Sequence, residues 1–132
     1  MSRNRVLITG SLLIPFLLGG CSSSVSFKDD VQPILDASCI SCHDGEGEGS
    51  VATALDLNDY TGVMQGTSLG RVVEPGDKSS STLYLVVAHK VDPKIQMLPH
   101  HPVRFPSGEG KPLSEAQITL IGDWIDQGAE NN

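Results

Sequence analysis

The sequence predicts an all-α domain, and three observations carry that prediction. Apolar residues recur at helical spacing at both ends of the folded region, Ser, Asn and Asp stand where helix caps belong, and no strand-like alternation of any length occurs. At the first end, Phe27, Val31, Ile34, Leu35 and Ser38 share one face. A helix begun at Ser26 would lose an intrahelical bond at Pro33. The expectation is therefore a turn, then a helix with Pro33 at its first position, running into Cys39.

The segment Asp44 to Ser50, DGEGEGS, reads as loop, with Gly for unusual backbone angles and carboxylates for solvation. It lacks the ordered run of oxygen ligands of a calcium loop. Asn58 or Asp59 caps a short helix ending near Gly66. Ser79 to Ser81 caps another, with Leu83, Val86 and Val87 on its buried face. Val91 to Pro112 carries Pro at 93, 99, 102, 106 and 112 and reads as a long connection, a length usual for functional or disordered segments. Ser114 caps the last helix with Gln117 completing a capping box. Ile118, Ile121, Trp124 and Ile125 form its apolar face, and Gly128 stops it.

Ahead of these elements, Arg3 and Arg5 precede an apolar run from Val6 to Leu18 that ends in Gly19 and Gly20. This is the pattern of a signal peptide over residues 1–20, and the run is too short and too interrupted to span a bilayer. Leu18-Gly19-Gly20-Cys21 resembles the lipobox of bacterial lipoproteins, in which the Cys becomes lipidated. Lipidation at Cys21 would also account for the odd one among the 3 Cys of an exported chain. Residues 21–26 then form a flexible, anchored, Ser-rich spacer, and residues 27–132 a single domain. Ser22 and Ser23 stand where inner-membrane retention more often shows Asp, which points to the outer membrane.

Loss of Arg3 and Arg5 leaves 7 basic against 16 acidic side chains, a net charge of −9. That balance argues against nucleic acid, whose phosphates call for clustered Lys and Arg, and suits a basic protein partner or solubility.

The chemistry concentrates in Cys39-Ile40-Ser41-Cys42-His43. Two thiols three residues apart can each form a thioether with one haem vinyl group, and the adjacent His supplies an imidazole to the iron. One covalent haem c is thus the expected cofactor. A redox dithiol would want a preceding strand and a βαβ pattern, and a zinc site a fourth ligand from the distant His residues. With aromatic residues at only 5% and 14 Gly, a protein-only core would be thin, and a large apolar cofactor would thicken it.

Around this motif, residues from Phe27 to Ala129 resemble the planctomycete-type branch of class I cytochromes c. The resemblance rests on Val31-Gln32-Pro33-Ile34-Leu35 before CISCH and Leu55-Asp56-Leu57 after it. It continues through Val73-Glu74-Pro75-Gly76-Asp77, Ser80 to Leu83, Met97-Leu98-Pro99, Trp124-Ile125 and Gly128-Ala129. It implies a small class I cytochrome c fold, with N- and C-terminal helices packed beside one haem and a Met as second iron ligand. Two departures stand out: Met97-Leu98-Pro99 replaces the commoner Met-Pro-Pro, and the connection from His100 to Lys111 is longer.

The resemblance puts Met97 in the sixth position, against His89, His100, His101 and Met64 as competitors. Proline near Met97 restrains its loop and lowers the entropic cost of presenting a weak thioether ligand. Arg71 is either a partner of a haem propionate or a solvated cation. Trp124 reads as core against the haem, and Tyr60 and Tyr84 as core or as shields of the porphyrin. The expected function is single-electron carriage between redox proteins on the periplasmic side of a bacterial membrane, alone or within a larger oxidoreductase, without enzymatic activity. The rival class is a haem with an open sixth site that senses small gases or turns over peroxide.

Overall fold

The computed structural model describes residues 23–97 and 112–132, so residues 1–20, Cys21, His100, His101 and most of the 91–112 connection lie outside it. Every regular element among the described residues is helical, and only two isolated bridges, Asp44 with Asp56 and Thr67 with Gly70, resemble strand pairing. The elements in order are a π-helical turn Phe27–Val31, α1 Gln32–Ser38, α2 Glu48–Thr53, α3 Tyr60–Gln65, a 3₁₀ turn Lys78–Ser80, α4 Thr82–Val87 and α5 Glu115–Asp126. None is long and apolar enough to cross a membrane.

The first helix begins earlier than Pro33 suggested. Phe27–Val31 forms a π-helical turn that continues directly into α1, with Pro33 in the first turn of α1. The wider winding of a π turn absorbs the proline ring and its missing N–H without ending the helix. Ser26 caps the turn, its side chain accepting from Asp29 N. Phe27 and Val31 thereby face inward with Ile34 and Leu35, all four buried.

The two terminal helical segments meet as expected. Phe27 lies 5.2 Å from Trp124 and 5.2 Å from Tyr60, centroid to centroid, with the Phe27–Tyr60 planes at 81°. Edge contacts of this kind add to what burial alone contributes. Tyr60 Oη donates to the Ala129 carbonyl at 2.9 Å and Trp124 Nε1 to the Glu130 carbonyl at 2.9 Å, so both polar tips are satisfied. Residues 74–78 are tied to α5: Gly76 N donates to the Ile125 carbonyl at 2.7 Å, and Lys78 Nζ pairs with Asp126 at 2.8 Å.

Two local expectations are corrected. The 44–50 segment is not loop throughout, because α2 starts at Glu48. Ser81 precedes α4 but makes no capping bond; it is fully buried and its hydroxyl turns back to the Asp77 carbonyl at 2.9 Å. Asp77 caps the preceding 3₁₀ turn, accepting from Ser79 N and Ser80 N, and α4 has no side-chain cap. Within the expected spacer, Val25 N donates to Gln127 Oε1 at 2.8 Å and Ser26 Oγ to the Asn132 carbonyl at 2.8 Å. Asp59, Ser114 and Gln117 take the capping roles expected of them, and Gly128 follows α5 at φ 110°.

Candidate functional site

The end of α1 unwinds into Cys39-Ile40-Ser41-Cys42-His43, a tight loop held by its own backbone. His43 N donates to the Cys39 carbonyl at 3.0 Å, Leu57 N to the His43 carbonyl at 2.8 Å, and Ser50 N to the Cys42 carbonyl at 3.0 Å. The thiols and the imidazole are therefore presented from a fixed frame.

That frame opens on a cavity of about 560 Å³, within the range of small-molecule and cofactor sites. Cys39, Cys42 and His43 line it, together with Leu55, Leu57, Val72, Leu83, Val86 and Val87 from the segments that follow. Ile95 and Met97 line it as well, and Met97 is held by a bond from its N to the Val86 carbonyl at 3.3 Å. Arg71 is the cationic side chain among the lining residues. Neither Met64 nor His89 lines the cavity: Met64 packs on the hydrophobic core, and His89 follows α4 at φ 54°. Trp124, Tyr60 and Tyr84 do not line it either. Trp124 is core, with Phe27 and Tyr60 as its ring neighbours.

The electrostatics suit a neutral ligand set. Burial lowers the pKa of His43, and the Leu55 carbonyl beside the ring offsets part of that. The contact falls short of hydrogen-bond geometry, because Nδ1 is buried without a partner; the Leu55 oxygen instead accepts from Ser50 Oγ at 2.6 Å. Burial, and next to it the neighbouring Cys42, pushes the Cys39 thiol up to about 11. Cys39 and Cys42 are free thiols, and among the described residues no three His, Cys, Asp or Glu side chains gather as a metal site. An apolar slot with two thiols and a neutral imidazole at one wall and a thioether sulfur at another fits a haem held covalently.

Sequence reasoning overlooked Gly47 and Gly49. A Cβ on Gly47 would lie 2.6 Å from the Cys42 carbonyl oxygen, and one on Gly49 would lie 2.5 Å from His43 Cε1. The signal was present as glycines alternating just after CISCH, but as flexible loop residues rather than as close-approach residues.

A helical domain that presents Cys-x-x-Cys-His on the wall of an apolar cavity has the build of a c-type cytochrome. Residues 39–100 match the family described as planctomycete cytochrome C, which supports a planctomycete-type cytochrome c domain over that stretch. No curated protein and no solved structure matches the chain. A domain of this family points to a covalently bound haem c and haem-based electron transfer.

Proposed function

We propose that the chain is an exported, lipid-anchored monohaem cytochrome that carries single electrons between redox proteins on the periplasmic side of a bacterial membrane. The observation that supports this most is that the CISCH loop and Met97 line one and the same cavity, although 54 residues separate His43 from Met97.

When bound, the haem supplies a one-electron ferrous–ferric couple. The chain's own residues supply the rest. Cys39 and Cys42 would hold the macrocycle through thioether bonds. His43, kept neutral by burial, offers a lone pair to the iron. Met97, which lines the same cavity, would offer its sulfur, and Arg71 would compensate a propionate charge. The Leu and Val lining excludes water, which sets the potential together with the ligands. With His43 and Met97 both holding the iron, no position would be left for substrate, and the protein's task would be transfer.

Carbon monoxide added to the reduced protein tests this directly. The parent spectrum is expected to stay unchanged, whereas Met97→Ala opens the iron to carbon monoxide and lowers the midpoint potential. Parent protein that binds carbon monoxide at once would point to the gas-binding class. A Met97 variant with the parent spectrum and potential, beside a His100 or His101 variant that loses them, would make the sixth ligand histidine. Acylation of Cys21 is checked by mass: Cys21→Ser is expected to lose the acyl chains and leave the membrane fraction with an unaltered haem spectrum.

A further inference from the structure

We propose that the Gly47-Glu48-Gly49-Ser50 turn is a seat that fixes the plane of the His43 imidazole, with Gly49 as its positioning residue. This rests on the reading of His43 as an iron ligand.

Gly49 lies inside α2, a helix of 6 residues. Glycine weakens a helix relative to alanine, so its presence calls for a reason. Backbone conformation is not the reason, since Gly49, unlike Gly45 at φ 91°, does not adopt a left-handed φ. Space is. A Cβ at Gly49 would stand 2.5 Å from Cε1, 2.7 Å from Nε2 and 2.8 Å from Nδ1 of His43. Contacts that short do not survive, so the ring or the helix would have to move.

Neither has much room to do so. The His43 backbone is bonded to Cys39 and Leu57. The start of α2 is pinned to the same loop: Gly47 sits against the Cys42 carbonyl and Ser50 N donates to that carbonyl at 3.0 Å. Ser50 is buried, and its hydroxyl accepts from Gly45 N at 2.9 Å while donating to the Leu55 carbonyl at 2.6 Å. The freedom left to the imidazole is rotation about its own side-chain bonds, and the bare Cα of Gly49 limits that rotation. Ligand orientation of this kind tunes a metal as much as ligand identity does.

The test uses the haem-loaded protein. Low-temperature electron paramagnetic resonance and paramagnetic NMR of the ferric state read the ligand plane, and redox titration reads the potential. Gly49→Ala is expected to change the g-values and the haem-methyl shift pattern and to move the potential, whereas Val51→Ala, on the exposed side of α2, keeps all three. Ser50→Ala is expected to shift the same signals and Ser50→Thr, which retains the hydroxyl, to restore them. A Gly49→Ala holoprotein with parent signals overturns the proposal; if that variant yields no holoprotein, parent signals in Ser50→Ala overturn it. Helix propensity alone would leave the spectra unmoved. Electron-nuclear coupling in the parent keeps the two readings apart: absence of an imidazole nitrogen on the iron defeats the haem-ligand assignment itself, while its presence beside an unchanged Gly49→Ala defeats only this inference.

Discussion

Cys39 shows how burial sets chemistry at a single residue. In the haem-free chain its thiol is held protonated up to about pH 11 against an ordinary value of 9.0, mainly because the thiolate would be desolvated. A raised thiol pKa contributes stability that is complete below pH 9 and is lost as pH climbs from about 9 to about 11, because only the unfolded chain releases its proton early. Two pH units correspond to about 100-fold less thiolate near neutrality, and alkylation proceeds through the thiolate. Alkylation of Cys39 at pH 8 is therefore expected to run far slower in the folded haem-free chain than in urea, as read by peptide mass mapping; equal rates would mean that the site does not bury this thiol. His43 works the other way. Its lowered pKa means that the unfolded chain takes up a proton below about pH 6.5 that the folded ring refuses, so the haem-free fold loses stability as the medium is acidified. Residue type and spacing alone single out Cys39, Cys42 and His43 in the sequence, and the structure brings the three to one cavity. Gly49 is not singled out in this way, because what makes it necessary is a ring that reaches it only once the loop has folded.

At the scale of elements, caps were the most legible feature and departures from regular winding the least. Asp59 and Ser114 cap because a short oxygen-bearing side chain at that position satisfies an otherwise unpaired N–H, a local matter. Ser81 had the same local credentials, but full burial against the Glu74–Asp77 turn claimed its hydroxyl first. Pro33 is the other instructive case: the rule that proline starts a helix competes with the demand that Phe27 reach Trp124, and a π-helical turn meets both. The α5 capping box offers a clean test of the local part. Ser114 N donates to Gln117 Oε1 at 2.9 Å and Gln117 N to Ser114 Oγ at 3.3 Å. Ser114→Ala is expected to cost about 1 kcal/mol, within the range of roughly 0.5–2 kcal/mol for such caps. Gln117→Ala should add less in the Ser114→Ala background than alone, because the two bonds form one unit. Full additivity in chemical denaturation would show that the box is not cooperative.

For the molecule as a whole, one continuous apolar core contains an aromatic cluster and walls a cavity. Phe27, Tyr60 and Trp124 lock the first and last helical segments together, reinforced by Asn132, whose Oδ1 accepts from Phe27 N at 2.8 Å and whose backbone carbonyl accepts from Lys28 N at 3.1 Å. The sparse aromatic content hinted that something other than side chains completes the core, but composition could not say where the gap lies. Its place follows from long-range packing, with Val72, Leu83 and Val86 facing the CISCH loop across a volume of about 560 Å³. Removing one buried Leu side chain costs about 2–5 kcal/mol through the cavity it leaves, and this volume far exceeds one side chain. The occupied fold is therefore expected to exceed the empty one by at least about 3 kcal/mol, which for a domain near 100 residues corresponds to roughly 12–24 °C in melting temperature. The Cys39→Ala/Cys42→Ala chain, which cannot retain haem covalently, provides the empty fold, and calorimetry beside the haem-loaded parent measures the gap. The aromatic cluster touches none of the cavity, so the empty chain should keep its Phe27–Trp124 packing and near-ultraviolet tryptophan signal below its lower transition. Equal melting temperatures would show that the cavity closes by itself and that the haem is not part of this core.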